Sequence, residues 1–222
     1  MLNCDFKLCG LFLDLDGTLA DSLSVMYEVY DRYLDHFGFR GNPDEFSELN
    51  GIPLSKGLAF LKKKYQLIPE SSTLQSYYEG LIQEAYTKVS PNNGAQKLVE
   101  AATKANIKVA VVTSASTINA QTWLEQTHLD QYISVIVGND SVIKGKPHPD
   151  PYLKAMELTG CHVSKALAVE DSQIGAQAAI AAKLETYILK QKTTNHLKLE
   201  DWPAVAGFLD RIDTLIPILS RV

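Results

Sequence analysis

Residues 95–189 alternate between two kinds of segment, and this alternation most narrowly limits the fold. Residues 107–113, 133–137, 166–170 and 186–189 are short, nearly continuous apolar runs. Segments at 95–105, 118–126, 150–158 and 174–182, set between and before them, place apolar side chains at helical intervals. Short runs without polar alternation suit strands buried on both faces. Strands that each wait for a helix before the next strand imply a parallel sheet with right-handed crossovers. The run Leu11-Phe-Leu-Asp-Leu15 is a further strand of the same type. The spacing predicts one last helix over 205–216, with 186–189 as the final strand.

The stretch between the first strand and the alternating region differs. Leu23, Met26, Tyr27, Tyr30, Leu34 and Phe37 recur at helical spacing, as do Leu58, Leu61 and Tyr65, then Tyr77, Leu81, Ile82 and Ala85. Almost no strand signal interrupts them. The expected architecture is therefore α/β: a Rossmann-like, doubly wound parallel sheet formed by residues 1–20 and 90–222, with residues 21–89 inserted as a separate helical unit. The Lys62-Lys63-Lys64 run reads as a solvated helix face.

Composition narrows the function classes. The chain has 222 residues, 45% of them hydrophobic, and a formal net charge of −5. There is no basic excess to recommend a nucleic-acid partner. No apolar run approaches the ~20 residues needed to span a bilayer, so no membrane association is expected. The start of the chain lacks a basic region followed by a long apolar stretch, which argues against a signal peptide. The three cysteines, Cys4, Cys9 and Cys161, have no metal-like spacing and read as reduced thiols in a cytoplasmic protein. The oligomeric state stays open, and a monomer is compatible with the sequence.

Ligands of parallel α/β sheets bind outside the carboxyl ends of the strands. There the sequence places Asp14 and Asp16, then Thr113-Ser114-Ala-Ser116, then Lys144-Gly-Lys146-Pro147, then Glu170-Asp171-Ser172. Each alone is an ordinary cap, turn or surface residue. Together they bring four carboxylates to one edge, which is costly without a cation between them. Such oxygen ligands suit Mg²⁺. The hydroxyls, the backbone N–H groups beside them and Lys146 supply donors for an anion facing that metal. A carboxylate between the two can be phosphorylated and then hydrolysed.

These residues resemble the haloacid dehalogenase superfamily. Asp14-Leu-Asp16-Gly17-Thr18-Leu19 followed by Asp21-Ser22 is similar to its first motif and Thr113-Ser114 to its second. Lys146 in Gly-Lys-Pro-His-Pro-Asp-Pro-Tyr152 is similar to the third, and Glu170-Asp171-Ser172 with Gly175 and Ala178-Ala179 to the fourth. The resemblance implies Asp14 as nucleophile and metal ligand. It implies Asp16 as general acid and then base, with its backbone carbonyl on Mg²⁺, and Thr18 as the group that helps orient Asp16. Lys146 and a second-motif hydroxyl would hold the phosphoryl group. Thr113 is the first hydroxyl after the strand, but Ser114-Ala-Ser116 resembles the triplet of some members and favours Ser114. Asp171 would ligate Mg²⁺, with Glu170 as a ligand or as support behind one. The helical insertion would be a cap that closes over the site, with Gly51 in the loop directed at it and Lys56 as a nearby cation.

The resemblance also separates reactions. Dehalogenating and phosphonate-cleaving members depart at the position of Asp16, so its presence points to phosphoryl transfer on a small phosphorylated metabolite. A β-phosphoglucomutase-like mutase is the competing reading. Its cap histidine and cap arginine fall locally on Met26 and Leu54 here, neither of which can hold a second phosphate. A non-catalytic metabolite-binding protein is the third reading, opposed by the presence of Asp14, Asp16, Lys146 and Asp171.

Overall fold

In a computed structural model, residues 7–191 and 205–220 are described; Cys4 lies outside them. Six strands form one parallel sheet in the order β3-β2-β1-β4-β5-β6. They are β1 (Gly10–Leu13), β2 (Lys108–Val112), β3 (Val135–Val137), β4 (Ala166–Glu170), β5 (Glu185–Leu189) and β6 (Val205–Leu209). Because successive side chains point to opposite faces, the apolar runs supply two cores at once. Leu11, Leu13, Val109, Val111, Leu167 and Val169 enter one hydrophobic cluster, while Phe12, Ala110, Val112, Ala166 and Ala168 enter another.

Helices seal both faces. α5 (Ala95–Lys104) and α6 (Thr117–Gln126) bury Leu98, Val99, Trp123 and Leu124 in the first cluster. α7 (Asp150–Thr159) and α8 (Gln173–Ala181) bring Tyr152, Ala155, Ala178 and Ala179 to the second. The chain crosses to opposite sides of β1 at β2 and β4, so the topological switch point lies between β1 and β4. The expected parallel α/β architecture is therefore present.

The carboxyl-terminal expectation is overturned. Residues 205–216 do not form a helix: Val205–Leu209 is a strand, followed by a 3₁₀ turn at Ile212–Leu215 and a short helix, α9, at Ile216–Leu219. β6 pairs with the outer edge of β5, which would otherwise leave its backbone groups without a ladder. Gly207 weakens the helical alternative by about 1 kcal/mol and lies opposite Tyr187 in the pairing.

Between β1 and α5 lie α1 (Leu23–His36), α2 (Pro43–Leu49), α3 (Leu54–Lys64) and α4 (Ser71–Tyr86). They have their own core, with Val29, Tyr30, Tyr33, Leu34, Leu58, Leu61, Leu74 and Leu81. The two strands of chain that leave and re-enter the sheet domain run side by side: the Asp21 N–H donates to the Ser90 carbonyl at 2.9 Å. Trp123 fixes the return through Nε1 on the Val89 carbonyl at 2.9 Å.

One carboxylate organises this helical unit. Glu45 is buried on α2 and accepts hydrogen bonds from Tyr30, Tyr65 and Lys64. Lys64 is thus a structural partner and not merely part of a solvated face, and Lys62 donates to the Pro69 carbonyl at 2.6 Å. Burial alone would raise the Glu45 carboxyl, but these donors hold it below its ordinary value. A depressed folded-state pKa gives stability that is present above the unfolded value and is lost as pH falls. Glu45→Gln is expected to cost about 1–3 kcal/mol in urea unfolding at neutral pH, with less loss under acidic conditions. A penalty that does not shrink with pH contradicts this assignment.

Candidate active site

β1 ends at Leu13, so Asp14 is the first side chain past the strand, beside the switch point. Its N–H donates to the Val169 carbonyl at 3.0 Å, which fixes it next to β4. Glu170 ends β4 and Asp171 follows it. Ligand oxygens of Asp14, Glu170 and Asp171 lie within 4.8 Å of one another, all three residues being buried. Gly17 permits this approach: it sits at φ +83°, and a Cβ there would lie 2.1 Å from Asp171 Oδ2.

Lys146 penetrates the cluster. Its Nζ donates to Asp14 Oδ1 at 2.6 Å, to Glu170 Oε1 at 2.5 Å and to the Val112 carbonyl at 2.8 Å. An ammonium has three protons, so these acceptors use all of them. Lys146 therefore engages the carboxylates and the end of β2, leaving no donor directed at a phosphoryl group in this arrangement. Tyr152 adds a donor to Glu170 Oε1 at 2.5 Å from the first turns of α7. The sequence motif contains Tyr152, but its apolar body gave no reason to separate it from the core.

Electrostatics show what the site lacks. Burial pushes the Asp14 carboxyl up to about 8; Lys146 opposes the shift and Glu170 adds to it. Burial also raises the Asp171 carboxyl well above its ordinary value, and Asp14 and Glu170 add to this. Burial would lower the Lys146 ammonium, but Asp14 and Glu170 outweigh it and hold it above its ordinary value. One ammonium faces four carboxylates, counting Asp16, and the buried Asp171 Oδ2 has no hydrogen-bond partner. That unpartnered oxygen, with neighbouring hard oxygen donors, fits a divalent cation.

Asp16 is held from the helical unit. The Tyr86 hydroxyl, at the end of α4, lies 2.8 Å from both Oδ1 and Oδ2 and donates to the carboxylate. Ser22 lies beside it, its Oγ accepting from the Gly17 N–H at 3.2 Å. Burial raises the Tyr86 hydroxyl well above its ordinary value, so it remains a donor. Thr18, expected to help orient Asp16, is buried with its Oγ1 unpartnered. Sequence alone does not single out Tyr86, because a tyrosine at the end of an amphipathic helix looks like core.

The two second-motif hydroxyls have different partners. Ser114 Oγ donates to the Gly51 carbonyl at 2.8 Å, tying the sheet edge to the loop before α3. Thr113 Oγ1 accepts from the Ala115 N–H at 3.0 Å, so its own proton remains available. Gly51 has φ +82°, and a Cβ there would approach Ser172 Oγ to 2.8 Å, so glycine permits the loop to dock. Lys56 is exposed and is not among the residues lining the cleft. The cleft between sheet edge and helical unit has a volume of about 550 Å³ and takes in Asp14, Asp16, Thr113, Ser114, Gly51 and Asp171.

The profile of the haloacid dehalogenase-like hydrolases matches residues 11–189. A phosphorylated carbohydrates phosphatase from Thermotoga maritima is 28% identical over 180 residues, covering 79% of this chain and 82% of its own. A phosphoglycolate phosphatase from Yersinia pestis is also 28% identical over 180 residues, covering 78% and 77%. The crystal structure of β-phosphoglucomutase from Clostridium difficile superposes with a TM-score of 0.81 at 19% identity, covering 94% of this chain and 93% of that one. This last likeness concerns fold alone. With the profile spanning the sheet edge and helical insertion together, the chain belongs to the haloacid dehalogenase-like hydrolases.

Proposed function

We propose that the protein is a Mg²⁺-dependent phosphatase that hydrolyses a small phosphorylated metabolite through an aspartyl-phosphate on Asp14. The observation that carries this reading is the buried Asp14–Lys146–Glu170 arrangement beside the unpartnered oxygen of Asp171. Asp14, Asp171 and the Asp16 backbone carbonyl would hold Mg²⁺. Glu170, already accepting from Lys146 and Tyr152, supports them from behind. When bound, Mg²⁺ supplies charge neutralisation for the phosphoryl oxygens.

In this reading Asp14 attacks phosphorus, the ester oxygen leaves with a proton from Asp16, and Asp16 then takes a proton from the water that hydrolyses the phosphoaspartate. Lys146 offsets the charge of the nucleophile and fixes its Oδ1. Thr113, with its free proton, is the better-placed hydroxyl for a phosphoryl oxygen. Ser114 instead anchors the loop carrying Gly51. Residues 21–89 form the cap, which excludes water and contacts the leaving group. Met26 and Leu54 both line the cleft and offer no charge to a second phosphate, which favours water over a sugar phosphate as acceptor.

With Mg²⁺ and p-nitrophenyl phosphate, steady phosphate release is expected, abolished by EDTA and reduced by about 10³-fold or more in Asp14→Asn. Undiminished turnover in that variant removes Asp14 as nucleophile. With β-glucose 1-phosphate, phosphate release should outpace formation of glucose 6-phosphate; the reverse ranking establishes the mutase.

A second test follows from the raised Asp14 carboxyl. The folded apo protein retains a proton that the unfolded chain releases, so this group's contribution to stability declines as pH rises from about 4 towards about 8. A metal competes with that proton. Thermal unfolding should therefore show a larger Mg²⁺-induced rise in Tm at about pH 8 than at about pH 6. Equal shifts at both values contradict the assignment of Asp14 as a ligand.

The bond from Tyr86 to Asp16 gives a third. A p-nitrophenolate leaves without protonation, whereas an alkoxide does not. Tyr86→Phe should lower kcat/KM for benzyl phosphate by about tenfold and lower that for p-nitrophenyl phosphate much less. Equal losses on both esters place Tyr86 outside the orientation of the acid.

A further inference from the structure

The charge of the cleft is divided unevenly. Its phosphate end has carboxylates for a metal, the Thr113 hydroxyl and, behind Asp14, the buried Lys146. The wall opposite, contributed by the cap, has no lysine, arginine or histidine among the described residues that line the cleft. Met26, Leu54, Leu58 and Ile82 make that wall largely apolar. Ile118 extends it to the mouth from the sheet domain and is 66% exposed. Tyr78 and Gln83 offer neutral hydrogen-bonding groups. The cap wall has one acid, Glu79, which accepts from Gln75 Nε2 at 2.8 Å one turn earlier on α4.

A second anionic group on the substrate would reach this wall without a counter-charge. Its loss of hydration would be uncompensated, and Glu79 would repel it. Lys146 cannot serve, since its three protons are committed at the other end. An uncharged leaving group with an apolar face meets no such cost and removes apolar wall from water. The volume of about 550 Å³ also exceeds what a two-carbon leaving group fills.

Building on the phosphatase reading, we propose that the substrate is the phosphomonoester of an uncharged, partly apolar alcohol, and not a phosphocarboxylate, a bisphosphate or a diphosphate. The phosphate occupies the Asp14 end, and the alcohol lies along the cap wall, with its hydroxyl or carbonyl groups directed to Tyr78 and Gln83. Glu79 acts as a specificity-determining residue by excluding anions.

Benzyl phosphate and phosphoglycolate are both primary alkyl esters, so their comparison separates charge and apolarity from aryl leaving-group reactivity. Wild-type enzyme with Mg²⁺ should show a kcat/KM for benzyl phosphate about tenfold or more above that for phosphoglycolate, with pyrophosphate and fructose 1,6-bisphosphate at the low end. Glu79→Lys should reduce the benzyl-to-glycolate ratio by about tenfold, and Glu79→Gln should change it in the same direction by less. The glutamine variant serves where the lysine variant does not fold.

Phosphoglycolate, pyrophosphate or the bisphosphate matching benzyl phosphate on wild-type enzyme would overturn the proposal, as would a ratio unmoved in the folded Glu79 variants. Either result leaves the phosphatase reading standing if p-nitrophenyl phosphate is hydrolysed with Mg²⁺ by wild type and not by Asp14→Asn. Absence of that control turnover overturns both.

Discussion

The buried ammonium of Lys146 is the interaction on which the site depends. It joins the first residue past β1, the last residue of β4 and the final carbonyl of β2. Three strands that meet at the switch point are thus fixed to one atom. A buried ion pair gains little net stability when desolvation is counted, but removing one partner leaves an uncompensated charge. Here its main consequence is positional. Lys146 sets the direction of Asp14 and leaves the carboxylate cluster in net deficit of positive charge, which a divalent cation can supply.

In the proposed mechanism, the sheet domain does not orient every reacting group by itself. Asp16 lies two residues beyond Asp14, past the strand, and receives its hydrogen bond from Tyr86 at the far end of α4. Ser114 reaches the opposite way, from the sheet edge to the Gly51 carbonyl in the cap loop. The cap is therefore tied to the chemistry at two points. Its own rigidity rests on a different buried carboxylate, Glu45, satisfied by two tyrosines and Lys64. That hub is joined to the sheet domain through α1 and α4, where Val25, Met26 and Ile82 pack against both hydrophobic cores.

The parts of this arrangement legible in sequence are those with strong local signals. β1, β2 and β4 are continuous apolar runs, and the polar residues directly after them mark the ligand edge. β6 was illegible because its selection is non-local: an open edge of β5 overrides helical spacing in 205–209. Lys146 and Glu170 were recognisable as site residues, yet their mutual contact was not, since it depends on how the loop after β3 folds back. Tyr86 and Tyr152 were hidden for another reason. Each buries an aromatic body in a core, and only the direction of its hydroxyl brings it to the candidate site. Lys56 shows the converse: a charge near a site-directed loop in sequence lies outside the cleft in space.

The distribution of charge gives the cleft a direction. Cation and hydroxyl donors belong at the sheet edge, where negative charge is transferred, and they can act on the phosphate of any ester. Discrimination must therefore come from the part of the cleft that touches the rest of the molecule. A cap wall with cations would attract a second anion and permit binding in reversed orientation, with the wrong group at Asp14. An apolar wall with a single acid disfavours that orientation by desolvation and repulsion together. On the proposed reading, the absence of positive charge opposite Asp14, among the described residues lining the cleft, serves orientation as much as specificity: a monoester has one end that the sheet edge would accept and one end that the cap wall would tolerate.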